Sequence, residues 1–133
     1  MATIIKDFTV RAKPEAIWDA LRDIGKIHER LARGFVTDTR MDGGDRIVTF
    51  ANGLVVRERI VSMDDGARRL VYSAASERLT HHNASFQIFP DGMDGSRILW
   101  IADILPDAMA DAIGAVMEDG SQAMQRTLAG EIS

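Results

Sequence analysis

Turn-forming residues recur at short intervals through the middle of the chain, and they divide it into a run of hairpins. Turns are expected at residues 42–44, 52–53, 64–66 and 90–95, where Asp, Asn, Pro and Gly cluster. Segments of alternating apolar and polar residues lie between these turns. This pattern predicts an antiparallel sheet that spans residues 35–105, with consecutive strands paired as neighbours.

Helical segments flank the predicted sheet. After a first strand at residues 3–10, Pro14 marks a helix start, and a second short helical piece reaches Leu31. After Pro106, apolar residues follow helical spacing at Met109, Ile113, Val116, Met117, Gly120, Met124 and Leu128. The order predicts an α+β fold in which a curved antiparallel sheet of about six or seven strands wraps around a long C-terminal helix. Two short helices follow the first strand, and such an arrangement tends to enclose a cavity.

Length and charge narrow the class of protein. The 133 residues suit a single domain over 1–133, and 20 acidic against 16 basic residues are mixed along the chain, which argues against nucleic acid as a partner. No cysteine is present, and no apolar run approaches the ~20 residues of a membrane span. We therefore expect a cytoplasmic protein that does not insert into membranes. A homodimer is left open.

Two hairpin registers can be predicted. Pairing Ile88 with Ile98 sets Phe86 opposite Trp100 and Ala84 opposite Ala102, and it places these apolar residues of both strands on one face. A two-residue turn at 52–53 would pair Thr49 with Val56, and Ile47 with Glu58. That face is the candidate interior. Arg46 would then lie on the opposite face.

The terminal helix is short of bulky side chains. Ala112, Gly114 and Gly120 stand where larger residues would fill the space over the sheet. Glycine within a helix costs roughly 0.5–1 kcal/mol relative to alanine, so Gly120 calls for a reason. Two explanations are equally open. Either the helix packs closely on a strand, or Ala112, Ile113, Val116 and Gly120 line a pocket.

Four short motifs, in order, resemble the START-like superfamily (SRPBCC) of helix-grip proteins, which includes polyketide cyclases and dehydrases, pollen allergens and plant abscisic-acid receptors. They are Lys-Pro-Glu-Ala-Ile-Trp-Asp at 13–19, Arg-Glu-Arg-Ile at 57–60 followed by Asp-Asp at 64–65, Arg-Arg-Leu-Val-Tyr-Ser at 68–73, and Gly-Ser-Arg-Ile-Leu-Trp at 95–100. The resemblance covers nearly the whole chain. It implies a helix-grip fold with a cavity for a hydrophobic ligand.

The resemblance also implies which positions touch the ligand. Glu58 is similar to an acidic strand residue whose carboxylate points into the cavity, and Leu79 is similar to a latch leucine of the plant receptors. Val56, Tyr72, His82 and Ala84 match pocket-lining strand positions, and the register adds Phe86 and Trp100. The full set of candidate ligand-binding residues is Val56, Glu58, Tyr72, Leu79, His82, Ala84, Phe86, Trp100, Ala112, Ile113, Val116 and Gly120.

Candidate catalytic residues are Glu58, His82 and Tyr72, each with a plainer alternative. A lone acid on an apolar face costs free energy unless it is paired, hydrated or neutralised. Glu58 therefore either faces the pocket, forms a salt bridge with an arginine, or lies at an exposed strand end. Tyr72 can pack in the core, and His82 can lie at the rim. His81 and His82 are adjacent in a strand and point to opposite faces, so no metal site is expected. No cofactor-binding motif is recognised.

Three functions from different classes remain. The first is binding of a small hydrophobic ligand, such as a lipid, an aromatic or a polyketide-like molecule, in the internal cavity. The second is a polyketide cyclase, aromatase or dehydrase that uses acid–base residues in the same cavity. The third is a protein-interaction module whose core is filled by its own side chains. We favour the first.

Overall fold

The computed structural model describes residues 1–130 and shows a seven-stranded sheet with three helices. The last three residues of the domain predicted over 1–133 lie outside the described part. The elements, in chain order, are β1 (Ala2–Val10), α1 (Pro14–Arg22), α2 (Ile27–Arg30), β2 (Val36–Asp42), β3 (Asp45–Phe50), β4 (Val55–Asp64), β5 (Arg69–Ala75), β6 (His81–Asp91), β7 (Gly95–Leu105) and α3 (Ala110–Leu128), with a single 3-10 turn (Asp107–Met109) before α3.

The sheet is antiparallel throughout, and its strand order is β1-β7-β6-β5-β4-β3-β2. From β2 to β7, strands that follow each other in the chain are neighbours in the sheet. The first strand, β1, pairs with the last strand, β7, and so forms one edge of the sheet. The predicted α+β fold, with a curved sheet and a long C-terminal helix, is confirmed.

The register predicted for the last hairpin is confirmed. Ile88 lies opposite Ile98, and Phe86 lies opposite Trp100. All four side chains are buried on the inner face of the sheet. The alternation is clear in β6, where Ala84, Phe86 and Ile88 face inward and the polar residues between them face outward.

The register predicted for the β3–β4 hairpin is wrong by one residue. The loop contains three residues rather than two, since the Phe50 amide donates to the Leu54 carbonyl and the Gly53 amide donates to the Phe50 carbonyl, both at 2.9 Å. Gly53 has a φ of +88°, as a three-residue hairpin loop requires near its end. A slip of one residue moves a whole strand to its other face. Arg46 therefore lies opposite Glu58, on the inner face.

Helix α3 packs against the β1 and β7 side of the sheet. Its buried residues are Met117, Gly120, Ser121, Ala123 and Met124. The contact with β7 is very close, because a Cβ added at Gly120 would lie 3.1 Å from Trp100 Cη2 and 3.1 Å from Phe35 Cε2. Within the described residues, no helix is long and apolar enough to cross a membrane.

Candidate functional site

A cavity of about 180 Å³ lies between the inner face of the sheet and the helices α2 and α3. Its wall is mainly apolar. The residues that line it are Ile27, Leu31, Ala32, Phe35, Val36, Arg46, Val48, Phe50, Leu54, Val56, Glu58, Tyr72, Ala74, Ser76, Leu79, His82, Phe86, Trp100, Ala102, Ile113, Val116, Met117 and Met124.

The cavity opens between the β3–β4 loop and α3. Leu54 and Val116 both line it and are nevertheless 57% and 45% exposed. Leu79, in the β5–β6 connection, also belongs to the wall and is half-buried. A small molecule can therefore reach the interior past apolar side chains at this opening.

An ion pair lies on the wall beneath these apolar residues. Arg46 Nε donates to Glu58 Oε1 at 2.7 Å, and the two side chains are only 3% and 9% exposed. The pair follows from the register, because Arg46 and Glu58 face each other on β3 and β4. The predicted salt bridge of Glu58 with an arginine and its predicted cavity-facing position both occur, and they are compatible.

Aromatic rings form the floor of the cavity. Tyr72, Phe86 and Trp100 come from β5, β6 and β7, and the ring centroids lie 6.0 Å apart for Tyr72 and Phe86 and 4.8 Å apart for Phe86 and Trp100. Trp100 Nε1 donates to the Tyr72 hydroxyl oxygen at 3.1 Å. Burial, and then the charge of Glu58, raises the pKa of Tyr72 above its ordinary value of 10. The hydroxyl therefore keeps its proton and acts as a polar contact rather than a base.

His82 is held in place by the edge of a neighbouring strand. Its Nδ1 accepts a hydrogen bond from the Ala74 amide at 3.0 Å, and its carbonyl accepts one from Ser73 Oγ at 2.6 Å. Burial, and then His81, lowers the pKa of His82 below its ordinary 6.5. The ring is therefore neutral at pH 7, with the proton on Nε2.

Most of the residues proposed from the sequence come together on the cavity wall. Those that line it are Val56, Glu58, Tyr72, Leu79, His82, Phe86, Trp100, Ile113 and Val116. Three do not. Ala84 is buried under its neighbours in the sheet, Ala112 faces solvent, and Gly120 is closed over by Phe35 and Trp100. Of the two explanations for Gly120, the structure shows close packing.

Sequence reasoning missed other parts of the wall, above all Arg46. The two-residue turn assumed at 52–53 assigned Arg46 to the outer face. The pattern of β3 could not correct this assignment, because Ile47 and Val48 are apolar residues of opposite parity and leave the register undetermined. One signal could have found it. A three-residue loop sets Arg46 opposite Glu58, and opposite charges across a strand pair stabilise that alignment.

A second hollow lies on the other side of His82 and is open to solvent. This outer groove, of about 600 Å³, is lined by Asp45, Arg57, Arg59, Val61, Ser73, Ala74, Ala75, Ser76, Leu79, Thr80, His81, His82 and Asn83. Charged and polar side chains dominate it, so it resembles ordinary solvated surface more than an apolar binding site. Across residues 1–130, no three His, Asp or Glu side chains group together as metal ligands would.

Comparison with known families decides the relationship that the motifs suggested. A family model described as "Polyketide cyclase / dehydrase and lipid transport" matches residues 1–130. The chain belongs to this family. Membership supports ligand binding or cyclase chemistry as the general function, and it confirms the START-like resemblance. No curated protein is significantly similar in sequence to the chain.

Solved structures share the fold of this family member. A START superfamily protein from Mycobacterium smegmatis has a TM-score of 0.74 at 12% identity, covering 98% of this chain and 96% of that one. The Zhui aromatase/cyclase from a Streptomyces species has 0.72 at 16%, covering 98% and 92%. Norcoclaurine synthase from Thalictrum flavum, in complex with dopamine and hydroxybenzaldehyde, has 0.70 at 15%, covering 99% and 88%. Identities this low show the helix-grip fold alone.

Proposed function

We propose that the chain is a single ligand-binding domain that holds a small hydrophobic molecule in the cavity between the sheet and α3. The observation that carries this proposal is an internal space of about 180 Å³ with apolar walls and one ion pair. Apolar walls with a few placed polar groups are typical of small-molecule sites. A protein-interaction module with a filled core has no need of such a space.

The state of the candidate acid–base groups favours binding over catalysis. The acceptor nitrogen of His82 is engaged with the Ala74 amide, and Glu58 is held by Arg46 through Oε1, with its second carboxylate oxygen keeping its lone pairs. A general base needs a free lone pair within reach of the substrate. Tyr72, whose raised pKa keeps it protonated, cannot supply one at neutral pH. These groups can anchor and orient a molecule without reacting with it.

Native mass spectrometry of freshly purified protein, beside a denatured control, tests the proposal. The informative variant is Val56→Trp, because Val56 lines the cavity and a larger ring there fills it. Val55→Trp is the matched control, since Val55 is the preceding residue of β4, is 57% exposed and points to the other face. Each protein is also offered a panel of small aromatics, short-chain ketones and fatty acids.

The expected result is a bound small molecule in the wild type and in Val55→Trp, and at least a tenfold weaker association in Val56→Trp. If the wild-type protein carries no ligand and binds none of the compounds in the panel, the proposal is contradicted and the protein-interaction module is favoured instead. Binding to Val56→Trp that is as tight as binding to the wild type would place the bound molecule outside the cavity.

A further inference from the structure

One buried nitrogen of a residue that lines the cavity has no hydrogen-bond partner within the described residues. Arg46 Nη1 is buried and makes no hydrogen bond, although Nε of the same guanidinium donates to Glu58. A buried donor without an acceptor is costly, and such exceptions call for an explanation. Arg46 belongs to the cavity wall, so an acceptor within the cavity is the natural partner.

The guanidinium is held from two sides, which gives Nη1 a fixed position. Glu58 Oε1 lies 2.7 Å from Nε, and the Tyr72 ring centroid lies 5.3 Å from Cζ. The side chain is 3% exposed, so it has little contact with bulk water. A hydrogen bond from a charged donor is roughly twice as strong as one between neutral groups. The site therefore distinguishes a ligand with an acceptor from one without.

The charge balance of the wall determines which acceptor fits. Glu58 already supplies one negative charge to Arg46, so the pair is neutral as a unit. A ligand carboxylate would bring a second anion close to Glu58 in a poorly solvated space, where like charges repel strongly. An uncharged carbonyl oxygen accepts the same hydrogen bond without that repulsion.

The volume limits the size of the ligand. An engineered protein cavity of about 150 Å³ binds benzene. The present cavity, at about 180 Å³, has room for one ring with a short substituent, and drug-sized pockets begin near 300 Å³. A sterol or a multi-ring polyketide is too large for it.

We propose that the ligand is an uncharged carbonyl compound about the size of one aromatic ring, whose oxygen accepts a hydrogen bond from Arg46 Nη1. This inference rests on the proposed function and names the ligand class of the same cavity. Glu58 acts as a charge-balancing residue, which selects a neutral acceptor over an anionic one.

Three probes of nearly equal shape test the inference by isothermal titration calorimetry at pH 7.5. Acetophenone carries a neutral carbonyl, benzoate carries an anionic carboxylate, and ethylbenzene carries no acceptor. Two variants accompany the wild type. Arg46→Met/Glu58→Leu removes the donor together with its counter-charge, and Glu58→Gln keeps Arg46 and an acceptor for Nε but removes the negative charge.

The wild type is expected to bind acetophenone about tenfold more tightly than ethylbenzene, the order of one hydrogen bond to a charged group, and to bind benzoate no better than ethylbenzene. The double variant loses the preference for acetophenone over ethylbenzene. In Glu58→Gln the order of the oxygen ligands reverses, so that benzoate becomes the tighter of the two.

The wild-type measurement alone can overturn the inference, even if a variant fails to fold. Equal affinities for acetophenone and ethylbenzene would show that Arg46 selects nothing, and tighter binding of benzoate would show an anion site. In both cases the proposed function survives, because a small molecule still binds. If none of the three binds, the inference falls, and native mass spectrometry then decides the proposed function separately.

Discussion

Arg46 and Glu58 are the residues on which the chemistry of the cavity depends. Both are nearly inaccessible to solvent, unlike the partners in the other ion pairs of the described residues, such as Arg97 with Asp7. Surface pairs contribute little to stability, whereas breaking a buried pair leaves an uncompensated charge. The pair fixes two side chains on facing strands and leaves Arg46 Nη1 without a hydrogen-bond partner among the described residues.

Removing one partner of the pair should destabilise the protein strongly. Arg46→Met is expected to lower the free energy of unfolding by about 3–5 kcal/mol, because Glu58 is then buried without a counter-charge. Arg46→Met/Glu58→Leu should recover most of that loss, since apolar residues of similar volume replace both charges. Urea denaturation measures both. Equal losses in the single and double variants would contradict this account of the pair.

His82 should make stability depend on pH. Its pKa is lowered in the folded protein by burial, so the unfolded chain binds a proton more readily. The neutral ring therefore contributes stability above the unfolded pKa near 6.5, and this contribution is lost as the pH falls toward the lower folded pKa. His82→Asn offers a non-titrating acceptor for the Ala74 amide.

Urea unfolding at pH 7.5 and at pH 5.0 checks this expectation. The wild type should lose more stability between the two values than His82→Asn does. His81→Asn should fall between them, because His81 lowers the pKa of His82 less than burial does. A wild type and a His82→Asn variant with the same pH dependence would show that the ring does not resist protonation.

At the scale of elements, α3 offers a matched pair of glycines. An alanine Cβ at Gly120 would lie 3.1 Å from Trp100 and from Phe35, whereas one at Gly114 would meet only Ile4 Cγ2 at 4.0 Å. Alanine favours a helix over glycine by roughly 1 kcal/mol, and overpacking costs typically ~1–3 kcal/mol. Gly114→Ala should therefore stabilise the protein, and Gly120→Ala should destabilise it.

Thermal unfolding of the two variants measures the difference in sign. A stabilised Gly120→Ala would mean that the rings of Trp100 and Phe35 move aside easily, and that the helix is not held close to β7 at this point. The change at Gly114 provides the control, because it alters helix propensity alone.

The hairpins show which elements a sequence can specify. In β6 an apolar parity alternates with a polar one, which fixes its inner face. Pairing that face with the Ile98 and Trp100 parity of β7 gives the observed alignment. In β3, Ile47 and Val48 are both apolar, so the register of the β3–β4 hairpin could be predicted from the turn alone. Asn52-Gly53 favours a two-residue turn, but the protein uses three residues and buries Arg46 opposite Glu58. A charged residue can be buried when a partner on the neighbouring strand neutralises it. The pattern of residues within one strand does not show that partner.

At the scale of the whole molecule, the curved sheet and α3 enclose a space instead of meeting as a solid core. The family model covers the described chain from end to end, and proteins under 20% identical to this one share the same helix-grip fold. A ligand that binds the folded state alone stabilises it by about 2.7 kcal/mol at a hundredfold excess over Kd. The cavity is thus a place where binding and stability are linked.

Intermolecular NOEs between acetophenone and the methyl-labelled protein locate a bound small molecule, because they report which methyl groups lie against it. If the ligand lies in the cavity, NOEs are expected from its ring to the methyl groups of Val56 and Ile113, which line the cavity, and none to Val61, which lines the outer groove. NOEs to Val61 with none to Val56 and Ile113 would place the ligand on the outer surface of the sheet and contradict the account.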